Sequence, residues 1–225
     1  MSTKKTIKKR KFTRLIMLSG GIDSAFLLSY FLRETEDTIL VHHVNLINQE
    51  RRHRAEAQAC EKIVAYCRKE YRDFLYSEST VDRSGFQAMG YDVITVAAEG
   101  GIAASNYYLK TGKMPDFWML GLNEEEVEIL GQATAEQPYT DGKPTVAEQP
   151  ASSRLNYILA AIAASCFPNA PPKYLRPITR SKRELMDYMG ANLVNLCWTC
   201  RRPIETPQGF QECGICQTCE LMKAI

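Results

Sequence analysis

A short apolar run, Leu15-Ile16-Met17-Leu18, leads into Ser19-Gly20-Gly21-Ile22-Asp23-Ser24 and then into Ala25-Phe26-Leu27-Leu28-Ser29-Tyr30-Phe31-Leu32. The first run has the length of a buried strand, and the last has the apolar face of a helix. A strand that turns through two glycines into a helix gathers free N–H groups and a partial positive charge at one point. The glycines let the backbone turn tightly and approach an anion with no Cβ in the way, and Ser19 and Ser24 add hydroxyls. Together these features make a phosphate cradle. It has no lysine at the place Gly-x4-Gly-Lys-Ser/Thr requires, and no Gly-x-Gly-x-x-Gly follows the strand.

The same alternation continues downstream. Thr38–Val44 reads as a second strand, and 51–69 as a helix with Ala55, Ala59, Ile63 and Tyr66 at helical spacing. Tyr91–Val96 is expected as a third strand or a strand-like approach to Gly100-Gly101, with a helix over 102–110 and a strand over Asp116–Gly121. The stretch 131–153 lacks periodicity and reads as a long loop, a candidate lid. A helix resumes over Arg154–Ser165 and is stopped by Pro168, Pro171 and Pro172. Ser181–Met189 carries a capping box, Ser181 with Glu184, and Gly190 suits its C-terminal stop. The expected fold is α/β, a doubly wound parallel sheet, with ligands beyond the carboxyl ends of the strands. Three segments are expected: a basic arm over 1–14, a nucleotide domain over 15–190, and a small C-terminal zinc-binding appendage over 191–225.

The chain has 225 residues, room for one α/β domain and a small addition. No run of 18 apolar residues exists, so no membrane span is expected. The basic N-terminus lacks the apolar stretch of a secretory signal, and a cytoplasmic protein is expected. The formal charge of +2 conceals an asymmetry: residues 1–14 hold seven of the 28 Lys/Arg and no acid, leaving 21 basic against 26 acidic residues, a net of −5. The arm is either a solvated tail or a contact for nucleic acid phosphates; the acidic body does not indicate a large nucleic-acid footprint.

Five of the eight cysteines crowd into 197–219 as Cys197-Trp-Thr-Cys200 and Cys213-Gly-Ile-Cys216-Gln-Thr-Cys219. With no secretory signal, such crowding points to metal rather than disulfides. Four thiolates fill a tetrahedral zinc shell. Spacing alone permits Cys197, Cys200, Cys213 and Cys216, or Cys200, Cys213, Cys216 and Cys219, and it does not separate zinc from an iron–sulfur cluster. Buried free thiols or a redox pair are the plainer alternative. Cys60, Cys67 and Cys166 fall on helical stretches and read as small apolar packing.

Ser-Gly-Gly-x-Asp-Ser at the end of a first strand resembles the PP-loop of the ATP pyrophosphatase superfamily, whose members cleave ATP between the α and β phosphates. With the C-terminal cysteines, the chain is similar to the 7-cyano-7-deazaguanine synthase family over most of its length, apart from the arm and the 131–153 loop. Arg52-His53-Arg54-Ala55-Glu56 resembles the family's Gln-Arg-His-x-x-Glu. Pro177-Ile178 followed by Lys182-Arg183-Glu184-Leu185 resembles its Pro-Leu and Lys-x-Glu-Ile. Trp198-Thr199-Cys200 with Cys213-Gly214-x-Cys216-x-x-Cys219 resembles its zinc signature. The resemblance implies ATP held by Ser19, Gly20, Gly21, Ile22, Asp23 and Ser24, with adenine along Val41–Val44. It implies catalytic roles for Asp23, Ser24, Lys182, Arg52 and His53, and magnesium partnered by Asp23. It also implies zinc on Cys200, Cys213, Cys216 and Cys219, leaving Cys197 as an extra thiol or alternate ligand. The implied reaction is ATP-dependent C–N ligation: the carboxylate of 7-carboxy-7-deazaguanine is adenylated, ammonia displaces AMP, and a second activation gives the nitrile. A small-molecule substrate, ammonia and a homodimer follow from the same resemblance.

Departures concentrate where the base is read. Ala98-Glu99-Gly100-Gly101 replaces the family's Val-Pro-x-Arg-Asn. The 131–153 loop replaces its Tyr-Pro-Asp-Cys-Arg, with Arg154 keeping the last arginine. Met222 stands where an arginine follows the final cysteine. Arg154 and Glu124 are the candidate substrate contacts; Glu124, Glu125 and Glu126 are equally the acidic first turn of a helix. The alternatives are adenylation of another acceptor, a tRNA base or a protein, and a non-catalytic nucleotide-binding module.

Overall fold

Alternation along three central strands sends side chains to two separate cores. Leu15, Met17, Leu40, Val44, Leu46, Trp118 and Leu120 fill one; Ile16, Leu18, Ile39, Val41 and Met119 fill the other. Strands buried on both faces read as continuous apolar runs, as these do. The structure is a computed structural model and describes residues 11–86, 92–121, 151–175 and 180–225.

Five parallel strands, β1 (Thr13–Met17), β2 (Thr38–Ile47), β3 (Leu75–Asp82), β4 (Phe117–Met119) and β5 (Lys173–Tyr174), lie in the order β3-β2-β1-β4-β5. Helices α1 (Ile22–Glu34) and α2 (His53–Glu70) cover one face, and α3 (Asp92–Thr111) and α4 (Ala151–Ser165) the other. Helix α5 (Lys182–Met189) returns to the first face against α1, and α6 (Ala191–Val194) follows it. A small antiparallel hairpin, β6 (Ile204–Thr206) with β7 (Gly209–Gln211), and α7 (Gln217–Ala224) complete the chain. This is the doubly wound parallel architecture with a C-terminal appendage. No described helix is long and apolar enough to cross a membrane.

The expected third strand is corrected. The strand expected over Tyr91–Val96 is absent: Asp92 opens α3, a single helix to Thr111, and Tyr91 lies outside the described residues. Val93, Val96, Ala97, Gly100 and Ala104 recur at helical spacing and face β1 and β2. A Cβ on Gly100 would sit 3.2 Å from Met17 Sδ, a tight contact that the methionine side chain would have to yield to. The third strand is β3, which pairs with β2 from Leu40↔Leu75 to Ile47↔Asp82. As an edge strand it is largely exposed, and its Ser77-Glu78-Ser79-Thr80 core carries no apolar signal.

The boundaries also move. Helix α4 begins at Ala151, inside the expected loop; residues 131–150 of that loop lie outside the described residues. Strand β1 begins at Thr13, and Arg14 belongs to it rather than to the arm. Its Nε lies 2.5 Å from Asp37 Oδ2, and its guanidinium stacks over Phe31. Residues 1–10 of the arm lie outside the described residues.

Candidate functional site

The strand order reverses at β1: the chain moves outward through β2 and β3, then returns to lay β4 on β1's other side. The crevice at such a switch point, beyond the carboxyl ends of the strands, is where α/β sheets bind ligands. Ser19–Ser24 follows β1 there, and Leu120-Gly121 follows β4. The two turns touch. A Cβ on Gly121 would lie 2.6 Å from Ser24 N, so only glycine lets β4's end approach the first turn of α1.

Within the loop, Gly20 has φ +80°, and a Cβ there would meet Glu56 O at 2.9 Å and Ala59 Cβ at 3.2 Å. Both the left-handed backbone and the close helix require glycine. Ser24 staples the turn: its Oγ accepts from Ser19 N–H at 3.1 Å and donates to Gly21 O at 3.1 Å. Gly21 occupies the N-cap of α1, and no side chain caps that end. The open first turn is what an anion needs.

Lys182 reaches the loop from the first turn of α5. A capping box fixes that turn, with Ser181 N–H donating to Glu184 Oε2 at 2.8 Å and Ser181 Oγ accepting from Glu184 N–H at 3.4 Å. Both Lys182 and Asp23 are buried, and Lys182 Nζ lies 2.5 Å from Asp23 Oδ2. A cation at a helix N-terminus is placed against the dipole; here Asp23 offsets it.

Arg52 stands at the N-cap of α2 among three carboxylates: Glu50 at 2.7 Å, Glu56 at 3.1 Å and Asp92 at 2.5 Å. Burial works against its charge, and the carboxylates outweigh burial. Burial raises the Glu56 carboxyl, and Arg52 opposes that rise. Arg52 therefore ties β2's exit, α2 and α3 together. His53 begins α2 with Nδ1 buried and unpartnered; desolvation first, then Arg54, lowers its pKa.

Strand β1 ends opposite His42, whereas β2 runs on to Ile47. Beyond Leu18 N–H donating to His42 O, the β2 backbone from Val44 onward has no ladder partner on that side among the described strands. This free edge borders the loop. Beneath it, His43 Nδ1 donates to Leu18 O at 2.8 Å, and Cys60 Sγ lies 3.3 Å from the same nitrogen. On the opposite face, His42 bridges Ser77 Oγ at 2.8 Å and Ser79 Oγ at 3.0 Å, and Ser79 donates to Glu99 Oε2 at 2.7 Å. Because Ser79's proton goes to Glu99, His42 must donate from Nε2 and accept at Nδ1.

Cys200, Cys213, Cys216 and Cys219 gather with their Sγ atoms all within 4.8 Å of one another. The Cys216–Cys219 and Cys216–Cys200 separations of 3.4 and 4.0 Å bracket the roughly 3.8 Å that ~2.3 Å bonds to tetrahedral zinc impose. Backbone N–H groups of Arg202 and Cys213 donate to Cys200 Sγ, and that of Cys216 donates to Cys213 Sγ. Such donors favour thiolate. Against the opposing effect of burial, backbone N–H groups and the neighbouring thiols draw Cys216 down to about 6, while burial prevails at Cys200 and pushes Cys219 up to about 12. The residues fit a four-sulfur metal site. Cys197 lies outside this group, and burial pushes its thiol up to about 12. Cys60 and Cys67 pack in the core from α2, and Cys166, just past α4, donates to Gly101 O at 3.6 Å.

Ser19–Ser24, Lys182, Gly121 and the edge at Val44 thus converge on one crevice, with Asp23 and Lys182 159 residues apart in sequence. Arg52 and His53 flank it at the start of α2. Glu124 lies outside the described residues, and of Arg154 only the backbone position in α4 is described. Gly121 and the Arg52 carboxylates were not foreseen. A glycine directly after an apolar strand is the one available signal for the former, while the latter come from three separate elements.

No protein-family model and no curated protein matches this chain. Among solved structures it is similar to the U34-tRNA thiolase NcsA from Methanococcus maripaludis with its [4Fe-4S] cluster. That likeness has a TM-score of 0.38 and 13% identity over 84% of this chain and 69% of that one.

Proposed function

We propose that the protein is an ATP-dependent enzyme of the PP-loop type that activates a carboxylate by adenylation for attack by ammonia. One observation carries this most: an uncapped glycine turn at the sheet's switch point, with the buried Lys182–Asp23 pair at its side. Phosphates would take the N–H groups of the first turn of α1, and Lys182 would add a point charge. Adenine would lie along the free β2 edge at Val44. Asp23 is the residue suited to hold magnesium, which when bound neutralises phosphate charge.

The acceptor carboxylate oxygen attacks the α-phosphorus and pyrophosphate leaves. Ammonia then adds to the acyl carbon, AMP departs with the oxygen, and an amide remains. A second round at the amide oxygen releases AMP and gives the nitrile. Catalysis of this kind is mainly positioning and charge neutralisation. The family-like segments around Arg52, Lys182 and the cysteines favour 7-carboxy-7-deazaguanine as acceptor, and the four-cysteine site as zinc.

An ATP–pyrophosphate exchange assay tests this. Exchange is expected with 7-carboxy-7-deazaguanine and should vanish in Asp23→Ala. Exchange that appears only with tRNA would move the acceptor to a nucleic acid base; AMP release that survives Asp23→Ala and Ser24→Ala would remove the loop from the reaction.

A further inference from the structure

The peptide between Gly20 and Gly21 has a glycine on each side, so its own side chains do not restrain it; its N–H donates to Ser19 Oγ at 3.4 Å, a long bond within the loop. Its orientation matters, because the amide is planar and trans: fixing the Gly20 carbonyl in one direction fixes the Gly21 N–H in the other. The Gly20 carbonyl accepts a hydrogen bond at 2.8 Å from Trp198 N–H, in the segment that leads into the cysteine site. A Cβ on Gly21 would lie 3.6 Å from Trp198 O, so the two backbones run in contact.

Trp198 is held from the metal side. Its indole Nε1 donates to Cys200 O at 2.8 Å, and Cys200 is fully buried two residues on. The appendage is also held at its two ends, where Leu196, Cys197 and Met222 pack on the main core and Cys197 N–H donates to Val194 O. Its buried cluster is Cys200, Cys216 and Cys219, with Trp198 and Cys213 packed alongside, and its hairpin strands have three residues each. Hairpins of this size are marginal by themselves, and a metal on the four cysteines would add stability to the segment. Polar ties to the sheet domain include the exposed pair Arg54–Glu205, Arg201 at 3.3 Å from Glu50, and Arg183 donating to Ile225 O; exposed pairs contribute little.

We propose that the four-cysteine site is a positioning element of the nucleotide site: a metal on Cys200 keeps Trp198 N–H against Gly20 O, which aims Gly21 N–H into the phosphate cradle. Nucleotide affinity then depends on metal occupancy. The inference rests on the nucleotide reading of the loop.

Calorimetric titration with a non-hydrolysable ATP analogue tests it, on the metal-loaded full chain and on chain stripped by chelation, with circular dichroism reporting the sheet domain. Stripping is expected to weaken binding about tenfold, the equivalent of one hydrogen bond, and zinc to restore it. Trp198→Pro, which lacks the backbone N–H, is expected to keep its metal and lose affinity by the same factor, whereas Trp198→Phe keeps that N–H, loses only the indole bond to Cys200 O, and is expected to fall between Trp198→Pro and the parent. Should stripping unfold the chain, the metal-loaded Trp198→Pro protein decides. Parent-like affinity in a folded stripped chain, or in Trp198→Pro, overturns the proposal. A metal-loaded parent that binds no analogue is a different result, and overturns the nucleotide reading beneath it.

Discussion

Asp23 and Lys182 stand 159 residues apart and meet at 2.5 Å in a buried position. Removing one partner of such a pair strands a charge. Lys182→Ala is expected to cost about 3–5 kcal/mol in urea unfolding, and the double variant Asp23→Asn/Lys182→Met much less than the sum of its single changes. Additive single costs would show that the pair is not the interaction that matters. Gly20→Ala combines a left-handed backbone with a 2.9 Å approach to Glu56 O. Its backbone strain alone is about 1–2 kcal/mol, so a melting temperature equal to the parent's would contradict the described loop. Neither Gly20's φ nor the Asp23 partnership is written in residues 19–24; the first follows from α2 lying close, the second from α5.

At the scale of elements, the cysteine segment behaves as a unit. Cys200, Cys213, Cys216 and Cys219 converge, and Cys197 points to Leu193 O instead. Metal analysis is expected to find one zinc per chain with no visible absorption. Cys219→Ser should lower that content and Cys197→Ser should leave it intact; the reverse pattern would exchange the ligand sets. A brown, iron-containing protein would replace zinc by a cluster. Spacing alone left both sets open, because Cys-x2-Cys occurs three times in the segment and only the chain's path selects among them. Helix α3 and strand β3 show the opposite lesson. Six residues, Tyr91–Val96, imitate a strand until the helical repeat continues to Ala104. Strand β3 takes its conformation from pairing with β2, since its own residues are mostly polar and exposed.

For the molecule as a whole, two buried imidazoles set a pH dependence. Burial lowers both His42 and His43 from 6.5, with Glu99 and Glu78 acting against it at His42. The unfolded chain therefore takes up protons first as pH falls through about 6.5, and stability present above that pH is lost as pH drops toward the folded values. The urea midpoint is expected to fall between about pH 7 and 5. His42→Gln, which keeps a polar group between Ser77 and Ser79, should flatten part of that fall; an unchanged profile would place the titration elsewhere.

Local signals determined the strand–glycine–helix cradle, the alternation that makes a doubly wound sheet, the capping box at Ser181 and the crowding of cysteines, because each depends on residues within about one helical turn or one strand. Tertiary structure decided what those pieces do together. It placed the Ser19–Ser24 loop at the switch point, set Gly121 against α1, brought Lys182 to Asp23, engaged Arg52 with three carboxylates, and laid Trp198 on Gly20. These contacts join elements far apart in the chain, and their geometry comes from how the two cores pack, which no short stretch of residues encodes.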